Sequence, residues 1–299
     1  MISDQNHTMP LLAIPMKAKA YGELLKPRLS MLVAFSCAFG YGLATRGNMD
    51  WTILTILTMA GFLLSGASVA INQVIEREYD ALMDRTKSRP LPTQRVSVNE
   101  AIIFSTLCGL VSLLLLWNFT NGLTVALSVV SMLLYCFVYT PLKRVGPIAV
   151  FVGAFPGAFP PLLGWIAATG GISYEAMIIF GIQFIWQFPH FWAIAWVADD
   201  DYKKAGFKLL PSGGGKDLNT AMQIMIYTMF LIPLGLLPAK FGMTGLDSAI
   251  VATVCGVAFF AQTFSLMRTG SKKSAKRIMF GSFLYLPIVQ IAYLLDKVG

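Results

Sequence analysis

The chain has 299 residues, of which 56% are hydrophobic and only 13% are charged, whereas a soluble domain carries about 25% charged residues. This composition excludes a soluble globular enzyme and predicts a polytopic membrane protein. The net charge of +8 would suit nucleic acid, anionic lipid or a phosphorylated substrate, so the positions of the charges must decide between these partners.

The amino-terminal segment carries basic residues but no continuous apolar run of the signal-peptide type, and we expect residues 1–28 to be a retained cytoplasmic tail. His7 lies in this tail and is assigned no role. The cysteines stand singly in apolar stretches, which argues against a disulfide framework or a zinc site. They are Cys37, Cys108, Cys136 and Cys255.

A membrane-spanning helix needs about 20 mostly apolar residues, and nine segments meet or nearly meet this requirement. None has the period-two pattern of a membrane β-strand, so the predicted fold is all-α. The third and fourth segments are separated only by a polar turn at Asn118 to Asn121. The predicted segments are Leu29 to Thr45, Trp51 to Ile75, Ala101 to Trp117, Gly122 to Tyr139, Pro147 to Ala168, Ala176 to Ala198, Leu218 to Ala239, Ser248 to Met267 and Ile278 to Leu295.

The basic residues predict the orientation of these helices, because cytoplasmic loops carry an excess of lysine and arginine. With a cytoplasmic amino terminus, all of the 23 basic residues fall on the cytoplasmic side except Arg46, Lys240 and Lys297. We therefore predict a nine-helix bundle in the cell (plasma or inner) membrane with its carboxyl terminus outside. Residues 29–299 would form a single domain of two pseudo-repeated halves, with acidic motifs after the second and sixth helices.

The segment that follows the second predicted helix is rich in charge. Four oxygen-bearing side chains recur there at steps of four residues: Asn72, Glu76, Asp80 and Asp84. On a helix they would lie along one slowly drifting face, where like carboxylates repel one another. Magnesium would remove this repulsion, since it prefers oxygen ligands and bridges to substrate phosphates. The alternative is a solvated loop of mixed charge. Side chains suited to phosphate oxygens follow at Arg85, Lys87 and Arg89.

A second acidic cluster, Asp199 to Asp201, ends the sixth predicted helix on the same membrane side and is followed by lysines. Acidic residues at the carboxyl end of a helix oppose its dipole, so their presence there indicates a function. Two carboxylate clusters at equivalent ends of the two halves would share a magnesium-bound diphosphate, with Asp200 and Asp201 as the predicted contributors and Asp200 as a metal ligand.

The sixth predicted helix also carries a polar stripe, because Gln183, Gln187 and His190 are spaced at i, i+4 and i+7 within an apolar span. Such a face is expected to look into the bundle. Two interpretations stay open for His190: a hydrogen bond that links helices, or a ligand or proton-transfer group for a buried substrate.

Five segments together resemble signatures of the UbiA-type intramembrane prenyltransferase superfamily, and the resemblance runs from about Lys26 to the last helix. It implies a nine-helix bundle that moves an isoprenoid from its diphosphate onto an acceptor. The segments are Asn72 to Pro90, Tyr139-Thr-Pro-Leu-Lys-Arg144, Gly157-Ala-Phe-Pro-Pro-Leu-Leu-Gly-Trp165, Trp186-Gln-Phe-Pro-His-Phe191 and Asp201-Tyr-Lys-Lys-Ala-Gly206.

The last four segments resemble the branch of this superfamily whose acceptor is haem b. The resemblance implies that farnesyl diphosphate, chelated through Mg²⁺ by Asn72, Asp80 and Asp84 and by the second cluster, gives its farnesyl group to a haem vinyl group. Water addition would then yield haem O and diphosphate. The resemblance also implies terminal-oxidase assembly factors or haem A synthase as partners, besides the lipid bilayer. Nucleic acid is no longer needed to explain the net positive charge. The implied substrate-binding residues are Arg85, Lys87, Arg89, Lys143, Arg144, Gln187, His190 and Lys204.

Two other functions stay open at this point. A prenyltransferase for an aromatic acceptor, such as 4-hydroxybenzoate or a quinone precursor, predicts the same diphosphate site without a need for haem. A polytopic transporter of an anionic solute predicts charged groups near the middle of the bilayer. The acidic residues of this chain gather at one membrane face instead, which favours chemistry at that face.

Overall fold

The computed structural model describes residues 13–213 and 215–298, which form an all-helical bundle. The first 12 residues of the predicted tail, including His7, lie outside the described residues. The helices are α1 (Ala13–Leu24), α2 (Pro27–Ala44), α3 (Trp51–Ile75), α4 (Arg77–Leu82), α5 (Val98–Phe119), α6 (Gly122–Leu133), α7 (Thr140–Leu142), α8 (Ile148–Thr169), α9 (Tyr174–Val197), α10 (Asp199–Lys204), α11 (Leu218–Gly235), α12 (Leu237–Lys240), α13 (Leu246–Thr269) and α14 (Lys272–Leu295).

Eight helical segments among the described residues are long and apolar enough to cross a membrane. They correspond to the second to ninth predicted segments, with α6 and α7 joined in one and α11 and α12 in another. The first predicted segment corresponds to α2, which is not among these eight. Its 18 residues begin with Pro27 and Arg28, which makes its mean hydropathy lower than that of the eight segments. It packs against α3 and α8 within the bundle. The all-helical, multi-pass membrane fold is confirmed. The count of nine spans and the orientation stay predictions.

Side-chain caps fix several helix starts that hydrophobicity alone places differently. Ser97 and Glu100 form a reciprocal capping box, so α5 begins three residues before the predicted Ala101. Ser271 caps α14 by accepting a hydrogen bond from the amide of Ser274. The basic stretch that the sequence assigned to a loop before Ile278 therefore forms the first turns of α14.

Two glycines allow a close contact between the backbones of α2 and α8. A Cβ atom at Gly40 would lie 1.9 Å from the Pro161 carbonyl oxygen, and one at Gly164 would lie 2.0 Å from that of Cys37. Small residues let helix backbones approach closely in membranes, where packing rather than the hydrophobic effect holds helices together. This contact holds two walls of the interior cavity against each other.

Helix α1 occupies part of the predicted tail and lies over the ends of α3 and α5. Lys17 forms an ion pair with Glu100, and Glu23 pairs with Arg95 at 2.7 Å. The Gln73 amide donates to the Leu24 carbonyl at 2.8 Å. The amino-terminal helix is thereby tied to the segment that carries the first charged motif.

That motif is not one continuous helix. The i to i−4 hydrogen bonds still run from Glu76 to Asn72 at 2.9 Å and from Asp80 to Glu76 at 2.7 Å, so the prediction of a shared face is wrong for Asp84 only. Helix α3 ends at Ile75, Glu76 has φ −96° and ψ 6°, and α4 ends at Leu82. Asp84 lies beyond α4, because the Met83 backbone is extended. The amide of Asp84 donates to the Asp201 carboxylate instead of continuing the helix.

Candidate active site

A cavity of about 520 Å³ lies between α2, α3, α6, α8, α9 and α14. Three cations line one end of the cavity: Lys26, just before α2, and Arg85 and Arg89, in the loop after α4. Most of the remaining wall is apolar. A chamber with cations at one end and an apolar interior suits an amphiphile that has an anionic head. A prenyl diphosphate has this character.

The charged end of the cavity contains a buried ion pair. Arg89 donates to Oδ2 of Asp80 at 2.6 Å. Asp80 is fully buried, and its Oδ1 atom has no hydrogen-bond partner among the described residues. Buried polar atoms are normally satisfied, so this oxygen is an exception, although Asp80 itself is not among the residues that line the cavity.

Asn72 lies at the end of α3 with a fixed amide orientation. The hydroxyl of Thr140 donates to the Tyr135 carbonyl at 2.8 Å, so it must accept the hydrogen bond from Asn72 Nδ2 at 3.0 Å. The amide oxygen of Asn72 therefore points away from Thr140, as a ligand oxygen would need to do.

A second buried ion pair joins Glu76 to Lys143 at 2.9 Å. Although burial disfavours the charged ammonium, the Glu76 carboxylate raises the pKa of Lys143. Arg144 stacks on the Tyr79 ring at 4.9 Å and donates to its hydroxyl. Neither Lys143 nor Arg144 lines the cavity, so the cations closest to it are those at Lys26, Arg85 and Arg89.

The two acidic clusters meet through Asp84 and Asp201, while the diphosphate that they are expected to share stays a prediction. The Asp201 carboxylate accepts hydrogen bonds from the backbone amides of Asp84 at 3.2 Å and Arg85 at 3.1 Å. Lys204 lies between the carboxylates of Asp84 and Asp201, at 2.5 and 3.4 Å. Lys204, together with Lys87 at 2.7 Å, lowers the pKa of Asp84 to about 2.

Asp200 does not join this contact, and the predicted placement of Asp200 beside the first motif is wrong. Successive residues of a helix point about 100° apart, so only one of the three aspartates of α10 faces Asp84. Asp200 is exposed and contacts Lys216 at 3.4 Å and Lys272 at 3.7 Å. The nearby Lys216 lowers the pKa of Asp200.

The residues present fit a magnesium ion that is held jointly with substrate. Over residues 13–213 and 215–298, no three histidine, cysteine or acidic side chains converge on one point. Magnesium is usually bound through one or two carboxylates plus phosphates and water rather than by a protein cage. Oδ1 of Asp80, which has no partner among the described residues, and the amide oxygen of Asn72 are ligands of this type. Both residues are buried and neither lines the cavity, so a metal would need them to become accessible at its charged end.

The polar stripe of the sixth predicted helix divides between two roles. Gln187 and His190 line the cavity. Gln183 instead donates to the Gly157 carbonyl at 2.8 Å and accepts from Gln290 at 2.9 Å, which links α8, α9 and α14. Gln183 is therefore the interhelical hydrogen-bonding residue of the stripe.

Lys26 was not predicted as a site residue, because the sequence shows it only as one of the basic residues of the tail. Lys26 adopts a left-handed backbone with φ 44° and reaches the cavity. Burial, reinforced by the positive charges of Arg89, Lys143 and Arg85, lowers the pKa of Lys26 to about 7. Its position directly before Pro27 and an apolar run was the available signal, but only the fold places it beside the first motif.

A π-helical turn over Leu134–Tyr139, between α6 and α7, was also missed. Tyr135 and Tyr139 of this turn line the cavity, and Lys143 Nζ lies 4.7 Å from the centre of the Tyr139 ring. Such turns are frequent at functional sites, where the inserted residue redirects side chains. No pattern in the sequence distinguishes this turn from regular helix.

The bundle and its cavity define an intramembrane enzyme with a site for an amphiphilic anion. The chain belongs to the UbiA prenyltransferase family, which it matches over residues 33–286, and it is a transferase. Its fold resembles that of digeranylgeranylglyceryl phosphate synthase, with a TM-score of 0.77, 21% identity and coverage of 94% of this chain and 98% of that one. A UbiA homologue from Archaeoglobus fulgidus bound to GPP and Mg²⁺ has a TM-score of 0.65 and 16% identity, over 92% and 99% of the two chains.

More similar sequences carry a particular activity in their names. A protoheme IX farnesyltransferase from Cytophaga hutchinsonii is 54% identical over 280 residues, which cover 94% of this chain and 98% of that protein. The corresponding protein from Christiangramia forsetii is 44% identical, with coverage of 93% of both chains. The mitochondrial protoheme IX farnesyltransferase of Arabidopsis thaliana is 38% identical, over 94% of this chain and 66% of that protein.

Proposed function

We propose that this chain transfers the farnesyl group of farnesyl diphosphate to a vinyl group of protohaem IX, with addition of water, to give haem O and diphosphate. The observation that carries the proposal is the cavity. It joins the cations Lys26, Arg85 and Arg89 to an apolar chamber that contains His190, in a chain whose relatives are named for this reaction.

The cationic end binds and activates the diphosphate. Arg89 and Arg85 offer forked donors to phosphate oxygens, and Lys26 adds a point charge. Lys87, Lys143, Arg144 and Lys204 contribute positive potential from outside the cavity wall. Asp80 and Asn72 would hold magnesium, which would supply positive charge to stabilise the departing diphosphate. Asp84 and Asp201 hold the loop that carries Arg85 in place.

The transfer balances as a substitution followed by hydration. The bond between farnesyl carbon 1 and the diphosphate oxygen breaks, and the diphosphate leaves with the electron pair. The terminal vinyl carbon of haem forms the new bond to carbon 1, which leaves a cation on the carbon next to the porphyrin. Water adds there and loses a proton. Departure of the diphosphate leaves an allylic cation on the farnesyl group. The largely apolar wall around Leu64, Leu116 and Leu163 keeps water away from this farnesyl cation until the vinyl group captures it.

The proposal extends to the setting of the enzyme. The diphosphate end of the cavity lies at the membrane face where the basic residues gather, which we infer to be the cytoplasmic face of the cell membrane. Farnesyl diphosphate would enter from that side. Haem b and its farnesylated product are apolar enough to exchange with the bilayer or with oxidase assembly factors.

Acceptor-dependent release of diphosphate tests the proposal. Purified full-length chain is given farnesyl diphosphate and Mg²⁺ with haem b, with 4-hydroxybenzoate or with neither. Release that is stimulated by haem b alone supports the proposal. Release with 4-hydroxybenzoate alone favours an aromatic prenyltransferase, and no release with any acceptor contradicts prenyl transfer.

A pair of variants links the release to the site. Asp80→Asn removes a buried carboxylate from the charged end of the cavity and should lower the rate about 100-fold or more. Glu78→Gln is the matched control, because Glu78 is exposed and pairs only with Arg77 among the described residues. Equal rates in the two variants would contradict the role given to Asp80.

A further inference from the structure

The hydroxyl of Ser282 in α14 makes two short contacts, and only one of them can use its proton. Ser282 Oγ lies 2.6 Å from the carbonyl oxygen of Met279, which can only accept. It also lies 2.8 Å from Nδ1 of His190 in α9. A serine hydroxyl has one proton to donate and lone pairs to accept with, so the proton goes to Met279.

The histidine must therefore supply the proton of the second hydrogen bond. With the Ser282 proton directed to Met279, Oγ is an acceptor for Nδ1–H of His190. A neutral imidazole carries one proton, which leaves Nε2 with a free lone pair. The serine thus selects one of the two neutral tautomers.

The rest of the surroundings hold the ring and leave Nε2 open. Trp186 stacks on the imidazole with ring centres 4.3 Å apart and an interplanar angle of 20°. Phe191 and Phe283 meet it edge-on at 5.3 and 5.2 Å. His190 lines the cavity, and Nε2 has no hydrogen-bond partner in the described part of the chain.

Trp186 is itself tied to the same residue of α14. Its indole Nε1–H donates to the Ser282 carbonyl oxygen at 3.1 Å, and Ser282 is fully buried. One residue of α14 therefore orients both the imidazole and the indole that stacks on it.

We propose that Ser282 is a positioning residue that holds His190 as the Nδ1–H tautomer, so that Nε2 binds the iron of the haem substrate as an axial ligand. This inference rests on the proposed function in so far as the cavity accepts haem. A histidine that ligates a metal through Nε2 normally donates its other N–H to an acceptor, which fixes the ring and raises its basicity. Ligation would hold the porphyrin at a fixed distance from α9 while one vinyl group reacts.

The test is spectroscopic and uses haem b without farnesyl diphosphate, so it does not depend on turnover. The full-length chain in detergent is titrated with haem b, and the ferrous complex is examined by resonance Raman spectroscopy for the iron–histidine stretching band. We expect the band in the wild type and its loss in His190→Ala. In Ser282→Ala the band should move to lower frequency, with haem affinity reduced about tenfold.

Three further variants separate positioning from packing. Ser282→Thr keeps the hydroxyl and should restore the wild-type band. Ser282→Cys keeps the volume of the side chain but offers a weaker acceptor. Its iron–histidine band should therefore lie between those of Ser282→Ala and the wild type, and it provides a test even if the alanine variant folds poorly. Ser112→Ala is the matched control, because Ser112 is also a buried serine that donates to a helix carbonyl, at Ala60, but it neither lines the cavity nor contacts His190.

The outcomes distinguish this inference from the proposed function. An unchanged band in both Ser282→Ala and Ser282→Cys, or a persistent band in His190→Ala, would overturn the positioning role or the ligation. If the wild type makes haem O but shows no histidine-bound iron, the ligation fails and the proposed function stands. If it ligates haem through His190 but transfers no farnesyl group, the inference stands and the proposed function fails.

Discussion

Individual carboxylates and cations of the site are paired with one another. Asp80 pairs with Arg89, Glu76 with Lys143, and Asp84 with Lys204. Breaking a buried pair leaves an uncompensated charge and costs about 3–5 kcal/mol. On the proposed function, a diphosphate that arrives with Mg²⁺ would avoid this cost, because the anion would replace the carboxylate beside Arg89 while the metal would replace the arginine beside Asp80. Substrate and metal are therefore expected to bind together.

Lys26 should make the binding of farnesyl diphosphate depend on pH. Its pKa is lowered to about 7 by burial and by neighbouring cations, so the side chain is charged below that pH and neutral above it. Affinity should therefore fall about tenfold between pH of about 6 and about 8, as the charged fraction falls by that factor. Binding of a fluorescent or radiolabelled prenyl diphosphate across this range measures the effect.

Lys26→Arg is the control for this prediction. Arginine stays protonated throughout the range, so the variant should lack the part of the pH dependence that Lys26 causes. Titration of the diphosphate itself affects both proteins equally and cancels in the comparison. Parallel pH profiles for the two proteins would contradict the role of Lys26.

Some residues of the site were open to prediction and others were not. Asp80 and Arg89 stand in a dense charged motif, and His190 is polar within an apolar span, so each conflicts with its local surroundings in a way that a sequence displays. Lys26 and Ser282 are unremarkable locally, and their roles arise from neighbours in distant segments: the first motif for Lys26 and helix α9 for Ser282. Only the fold creates those contacts.

Among the contacts between secondary-structure elements, the one that shapes the site joins the loop after α4 to the short helix α10. Asp201 accepts hydrogen bonds from two successive amides of that loop. One of these amides belongs to Arg85, so the contact holds Arg85 at the cavity. The regular spacing of four residues suggested one helix through Asp84, but spacing alone cannot report a distant carboxylate that competes for the backbone amides.

Neutralising Asp201 should therefore affect the site more than neutralising the adjacent Asp200. We expect Asp201→Asn to lower the rate of farnesyl transfer roughly 100-fold, because a misplaced loop misplaces Arg85. Asp200→Asn should stay within about fivefold of the wild type, since its contacts are exposed ion pairs. Steady-state rates at saturating substrates provide the comparison, and the reverse order of the two variants would contradict the arrangement.

For the molecule as a whole, the hydrophobic segments predicted the architecture well. A single segment that crosses lipid must satisfy its backbone hydrogen bonds internally, and only a helix does so. The helix ends were less predictable, because caps such as Ser97 and Ser271 extend helices beyond the apolar runs. The tail was the largest difference, because α1 is fixed by ion pairs to Glu100 and Arg95 rather than by its own hydrophobicity.

The predicted orientation can be tested by thiol labelling in a cysteine-free background. Asp50→Cys, at the start of α3, should react with a membrane-impermeant maleimide added to intact cells, because that end is predicted to face outward. Thr93→Cys, in the loop before α5, should react only after the cells are opened. The opposite pattern would reverse the orientation and place the diphosphate site outside.

The central claim is that a farnesyl group and the oxygen of water are added to haem in this cavity. The most direct measurement is the mass of the porphyrin product after purified full-length chain is incubated with haem b, farnesyl diphosphate and Mg²⁺ in water enriched in ¹⁸O. We expect haem that has gained one farnesyl group and one hydroxyl group carrying the heavy oxygen. Unmodified haem, or a farnesylated haem without the heavy oxygen, would contradict it.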